Sequence, residues 1–201
     1  CYHKRTNSRP SENPLGYNCA AYNRRNGHSH NCNDRCKGIF QGVLQEAKDQ
    51  GIKIVYVDSP ANVEAEATFS TDNEAAGTTA GEEMKKALED AGITSGKIGI
   101  INVNAATDSC VNREEGFRAA FDGTDFEIME TQYGEGDAAK SQSIAENYIT
   151  QGVVGIFGCN EGSTTGAGNA IKAAGNSDII GVGFDKSDAI LNLIDDGYLL
   201  C

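Results

Sequence analysis

The chain has 201 residues, of which 24 are glycine and none is tryptophan, with 39% apolar residues and a formal charge of −12. A chain of this length buries a real core, as one large domain or two small ones. The acidic balance sets nucleic acid aside as the main partner, and no apolar run is long enough for a membrane-spanning helix.

The charge is uneven. Residues 1–38 carry seven Lys and Arg against two acids, and the remainder carries 10 against 27. All three His and four of the seven Cys fall in the first 36 residues. Residues 1–37 show no helical or strand period, so this basic arm cannot bury enough apolar surface to offset its ordering entropy. Cys19, His28, His30, Cys32 and Cys36 are zinc-ligating types, but their spacing fits no finger pattern. No aromatic or Gly-Arg repeat accompanies the charge, as a nucleic-acid arm would require. The arm is expected to be disordered or foreign to the protein, and no metal site is assigned. Cys1 would suit a lipid anchor if a leader had been trimmed ahead of it.

From Gly38 the pattern is regular. A helix closes at Gly51, and a strand follows over 52–57. Phe69–Asn73 is a short extended piece ending in capping residues. Helix 74–91 places Ala76, Ala80, Met84, Ala87, Leu88 and Ala91 on one face. Strand 97–102 leads to helix 110–121, which buries Val111, Phe117 and Phe121. Strand 126–132 alternates apolar and acidic residues and is expected at a sheet edge. Helix 138–151, strand 153–157, helix 164–174, strand 179–184 and helix 188–195 follow, and residues 198–200 open another strand. This strict alternation predicts an α/β fold with a doubly wound parallel sheet.

Four apolar runs, 54–57, 98–101, 153–157 and 179–184, are continuous, as strands buried on both faces are. Each ends near a polar residue: Asp58, Asn102, Asn160 and Asp185. In an open parallel sheet, ligands bind beyond the carboxyl ends of the strands, so these four are expected to converge on one cleft. Asp accepts hydrogen bonds, Asn donates and accepts, and Arg donates in a fork. Such a set suits a neutral polyhydroxylated ligand. The competing reading is helix capping, which is adopted for Asp72, Asn73 and Asp188.

Gly134-Glu135-Gly136-Asp137-Ala138-Ala139 fits a dinucleotide fingerprint, with Glu161 near the place of a ribose-binding acid. Glu135 and Asp137 stand where a pyrophosphate would lie, so an acidic strand-to-helix turn is favoured over a nucleotide-binding enzyme. With every His in the arm, no Ser-His or Cys-His pair can be built on the regular part. Cys110 and Cys159 read as packing residues, and Glu114-Glu115 and Asp195-Asp196 as solvated helix faces. No catalytic residue and no cofactor are assigned.

Val57-Asp58-Ser59, Ser70-Thr71-Asp72-Asn73, Asn112-Arg113-Glu114-Glu115-Gly116-Phe117, Cys159-Asn160-Glu161 and Val182-Gly183-Phe184-Asp185, in this order and spacing, resemble the type I periplasmic binding proteins. The ribose-binding branch of sugar ABC transporter receptors is the most similar. The resemblance covers residues 38–201 and implies two lobes closing on a small sugar by hinge motion, a permease partner, and a periplasmic or cell-surface location in a bacterium. It implies Asp58 and Ser59 as contacts from the first lobe. From the second it implies Arg113, Asn160, Glu161 and Asp185, beside the strand-end Asn102 already read as a ligand contact, with Ser70, Thr71, Asp72 and Asn73 as the first hinge crossing. Residues 38–73 would be the end of the first lobe and 74–201 most of the second, so the chain resembles a fragment. Val111 stands where the family carries a ligand-binding Arg, and Gly136 where an aromatic often stacks on the sugar, which leaves the ligand open. The effector domain of a lactose-repressor-like regulator shares this fold but needs an N-terminal helix-turn-helix that residues 1–37 do not show.

Overall fold

The computed structural model of the protein describes residues 41–58, 60–175 and 178–201, together with the backbone of two short strands, β1 (Ala21–Tyr22) and β2 (Ser29–His30). β1 and β2 pair antiparallel. The other expectations for the arm, and that for Ser59, lie outside the described residues. The chain divides into two compact units, Cys1–Thr71 with Ala106–Ser109, and Asp72–Ala105 with Cys110–Cys201.

The first unit contains α1 (Gln41–Asp49) and two parallel strands, β3 (Val55–Val57) and β4 (Ala67–Phe69), with Val55 opposite Ala67 and Val57 opposite Phe69. The strand expected over 52–57 is shorter than the apolar run. Ile54 and Tyr56 still pack with Val63 into a small core. The Tyr56 hydroxyl donates to the Val63 carbonyl at 2.7 Å, which satisfies a polar group that burial would otherwise penalise.

The second unit runs through α2 (Asn73–Asp90), β5 (Gly96–Asn102), α3 (Asp108–Ala120), β6 (Phe126–Ile128), β7 (Gln132–Tyr133), α4 (Ala138–Thr150), β8 (Val153–Gly158), α5 (Glu161–Ala174), β9 (Ile180–Gly183) and α6 (Asp188–Asp195). The strands are all parallel in the order β6-β5-β8-β9, with β7 also on β5. Successive residues of a strand face opposite ways, so each central strand feeds two cores. Ile98, Ile100, Phe157 and Val182 pack with Met84 and Leu88 of α2, with Cys110 and Phe117 of α3, and with Phe121 just after it. Ile101 and Ile156 pack with Ala145 and Tyr148 of α4 and with Ala167, Ala170 and Ile171 of α5. Helices on both faces make this the doubly wound parallel sheet expected from the alternation.

Several boundaries differ from the sequence reading. The strand at 126–132 splits in two, because side chains take the carbonyls between its halves. Arg118 Nη2 donates to the Met129 carbonyl at 3.3 Å, and the Tyr148 hydroxyl to the Glu130 carbonyl at 2.6 Å. In α3, Cys110 rather than Val111 is buried with Phe117 and Phe121, a spacing that returns to one helical face. α5 begins at Glu161, not at 164, since Asn160 caps it. Residues 198–200 form no regular strand, yet Leu200 N–H bonds to the Gly181 carbonyl and Gly183 N–H to the Cys201 carbonyl beside β9.

Candidate functional site

The carboxyl ends of β8 and β9 meet at the start of α5. Asn160 is the helix cap: its backbone is extended, and its Oδ1 accepts from Ser163 N–H at 3.1 Å. Asp185 follows β9 with φ +74°, a left-handed conformation that Asp tolerates better than most residues. That conformation turns its Oδ2 onto Glu161 N–H at 2.8 Å. Two carbonyl-free amides of the first turn are thereby satisfied, and the Asp185 charge lies at the positive end of the helix. Asn160 and Asp185 are thus brought together. Both act as caps, the role weighed against ligand contact. Each residue thus spends one side-chain oxygen on a backbone N–H of the first turn of α5.

Arg113 of α3 joins this corner without touching either residue. Its Nε donates to Asn73 Oδ1 at 2.9 Å and its Nη1 to the Cys159 carbonyl at 2.9 Å. Its guanidinium carbon lies 4.3 Å from the centre of the Phe184 ring, within cation–π range. Asn73 was read as a cap and is not one. Asp72 caps α2, accepting from Ala75 N–H at 3.1 Å, while Asn73 is buried. At α6 a cap was expected at Ser187-Asp188, and Ser187 is the residue that supplies it.

Asn102 hydrogen-bonds within its own unit. It is 1% exposed, and its Nδ2 donates to Glu114 Oε2 at 2.7 Å and to the Cys110 carbonyl at 3.3 Å, while its Oδ1 accepts from Val103 N–H. Both amide hydrogens are therefore engaged. Glu114 was read as solvated and is instead the centre of a network, also accepting from Arg118 Nε at 2.9 Å and from the Thr131 hydroxyl. Its neighbour Glu115 is exposed, as expected. The Glu161 side chain is exposed, and its contribution here is its N–H to Asp185. Cys110 and Cys159 are buried in the core, and burial holds the Cys159 thiol well above its ordinary pKa, so it is protonated and unreactive.

The turn after β7 is an acidic cap. Asp137 Oδ1 accepts from Lys140 N–H at 2.7 Å, and Glu135 pairs with Lys140 Nζ at 2.9 Å. The chain's own carboxylates occupy the turn where a nucleotide phosphate would lie. Gly136 passes beside Asn160: a Cβ on Gly136 would lie 3.5 Å from Asn160 Nδ2, and one on Gly162 would lie 2.0 Å from the Gly136 carbonyl oxygen. Asp58 belongs to the first unit. It too has a left-handed backbone, φ +71°, and accepts from Ser109 Oγ at 3.2 Å. A groove of about 410 Å³ along the edge of the second sheet is lined by Met129, Gln132, Ile144, Asn147 and Tyr148, and by none of the expected site residues.

The sequence profile of the periplasmic binding protein domain matches residues 37–200. The chain belongs to the periplasmic binding protein family. It is 32% identical over 133 residues to a ribose import binding protein of Haemophilus influenzae, covering 65% of this chain and 44% of the relative. To that of Escherichia coli K12 it is 30% identical over 161 residues, covering 78% and 53%. The chain spans about half the length of the curated relatives it matches. Among solved structures, an ABC transporter solute binding protein from Agrobacterium vitis with bound D-fucose superposes with a TM-score of 0.72 at 28% identity, covering 79% of this chain and 56% of that one. Another from the same organism, bound with α-D-tagatopyranose, gives 0.72 at 24% identity, covering 80% and 57%, a likeness of fold. These relatives are named as import and solute-binding proteins.

Two features of the corner escaped sequence reasoning. One is the pairing of Asn73 with Arg113, between residues 40 apart in the chain. The other is the stacking of Arg113 on Phe184. The Phe184-Asp185 pair carried the only signal, since an aromatic beside a strand-end acid offers a face to a cation.

Proposed function

We propose that the chain supplies sugar-binding elements of a solute-binding protein for a bacterial ABC importer, working in the periplasm or at the cell surface. Asn160 and Asp185 bind the sugar from the second unit, and Asp58 with Ser59 from the first. Residues 70–73 serve as a hinge crossing, closure about the sugar creates the form that a permease recognises, and residues 38–73 and 74–201 are parts of the two lobes. The observation that carries this reading is the meeting of Asn160 and Asp185 at the start of α5, which sets an amide and a carboxylate at neighbouring strand ends. Vicinal hydroxyls, each both donor and acceptor, match that set. Relatives named for ribose import and a neighbour holding D-fucose support a monosaccharide.

The regulator reading and the nucleotide reading are not favoured: the relatives are import proteins, and the Gly134 turn is filled by its own acids. Isothermal titration with D-ribose, D-fucose, D-arabinose and ATP tests the proposal. Saturable heat with at least one sugar and none with ATP is expected. Heat with ATP alone, or with none of the four, overturns it.

A further inference from the structure

The two turns that carry Asn160 and Asp185 are tied together by a side chain that contacts neither. Arg113 holds the Cys159 carbonyl, one residue before Asn160, and the Phe184 ring, one residue before Asp185. Its third attachment is Asn73, 5% exposed, the first residue of α2. The backbone of Arg113 is fixed as well. A Cβ on Gly77 of α2 would lie 2.0 Å from the Arg113 carbonyl oxygen, and one on Gly116 of α3 would lie 1.9 Å from that of Glu74. The two helices therefore meet backbone to backbone at this residue.

We propose that Arg113 is a positioning residue: it locks the residues preceding Asn160 and Asp185 in register with the start of α2, and acts on a bound sugar only through them. The inference rests on the sugar-binding reading above. A planar fork meets two acceptors in different directions while one face lies on a ring, and an ammonium cannot. Lysine at 113 would keep the charge and lose the brace. An Arg needed for its charge, or for one hydrogen bond to the sugar, would instead be largely replaced by lysine.

The test combines backbone amide hydrogen exchange with titration of D-ribose and D-fucose, on the wild-type chain, Arg113→Lys, Arg113→Met and Asn73→Ala. Both Arg113 variants are expected to speed exchange at Cys159, Glu161 and Phe184, whose N–H groups bond to the Ile101 carbonyl, Asp185 Oδ2 and Thr164 Oγ1, by about tenfold or more, and to weaken sugar binding about ten- to hundredfold. Exchange at Ile98–Ile100 in the centre of β5 should not change, a local pattern that general loss of stability would not give. Wild-type exchange at Cys159, Glu161 and Phe184 in Arg113→Met overturns the proposal, as does full affinity in Arg113→Lys. Should Arg113→Met fail to fold, Asn73→Ala removes one brace, and unchanged exchange at the three amides then overturns it. If the wild-type chain takes up neither sugar, the sugar reading fails while the exchange pattern still decides the role of Arg113.

Discussion

On the proposed reading, Asp185 does two jobs with one carboxylate, and they can be separated. Asparagine at 185 keeps an oxygen for Glu161 N–H but loses the charge. Asp185→Asn is therefore expected to cost about 0.3–1 kcal/mol of stability, the loss of the charge at the start of α5, while weakening sugar binding about tenfold, the difference between a charged and a neutral hydrogen bond. Asn160→Ala removes the α5 cap and should cost about 1 kcal/mol of stability as well as sugar affinity. Thermal melts beside titrations check both. A loss of stability in Asp185→Asn without loss of affinity would reduce Asp185 to a helix cap. The polar strand ends were legible because a continuous apolar run that stops at Asn or Asp marks where a parallel strand leaves the core. Which of them face outward was not. Asn102 and Asn160 end equivalent runs, yet Asn102 is claimed by Glu114, a partner 12 residues away that no local pattern announces.

At the scale of elements, the α2–α3 contact depends on two glycines facing each other's helix. Ala at 77 would drive its methyl into the Arg113 carbonyl. Gly77→Ala is expected to destabilise by about 1–3 kcal/mol through forced separation of the helices, read as a lower melting temperature. Tyr148 makes a second prediction. Burial, its largest influence, raises the hydroxyl pKa to about 12 despite the bond to the Ile100 carbonyl. The folded state holds this proton more tightly than the unfolded state, whose tyrosine titrates near 10, so its contribution is complete below pH 10 and lost as the pH rises towards 12. Melting curves from pH 8 to 12 should show this fall in the wild type and a smaller one in Tyr148→Phe. Element order and helix faces followed from apolar periodicity. The break between β6 and β7 did not, because it is imposed by Arg118 and Tyr148, side chains from helices on either side of it in the chain.

Over the whole molecule, two units with separate cores imply two unfolding events. The first unit relies on Ile54, Tyr56 and Val63, whereas the second buries two layers across a five-stranded sheet. Scanning calorimetry is expected to give two transitions, with Val63→Ala lowering only the cooler one. A single transition displaced as a whole by Val63→Ala would show that the units melt together. The doubly wound architecture was legible in the sequence because each βα repeat declares itself locally.

The left-handed backbone of Asp185 has an energetic consequence for recognition. Its main chain is held in a region that few residues enter, and one carboxylate oxygen is already anchored on Glu161 N–H. On the proposed reading, an incoming hydroxyl therefore meets a group with little rotamer freedom left to surrender. The entropy of ordering that acceptor is settled during folding, and more of each contact remains as affinity.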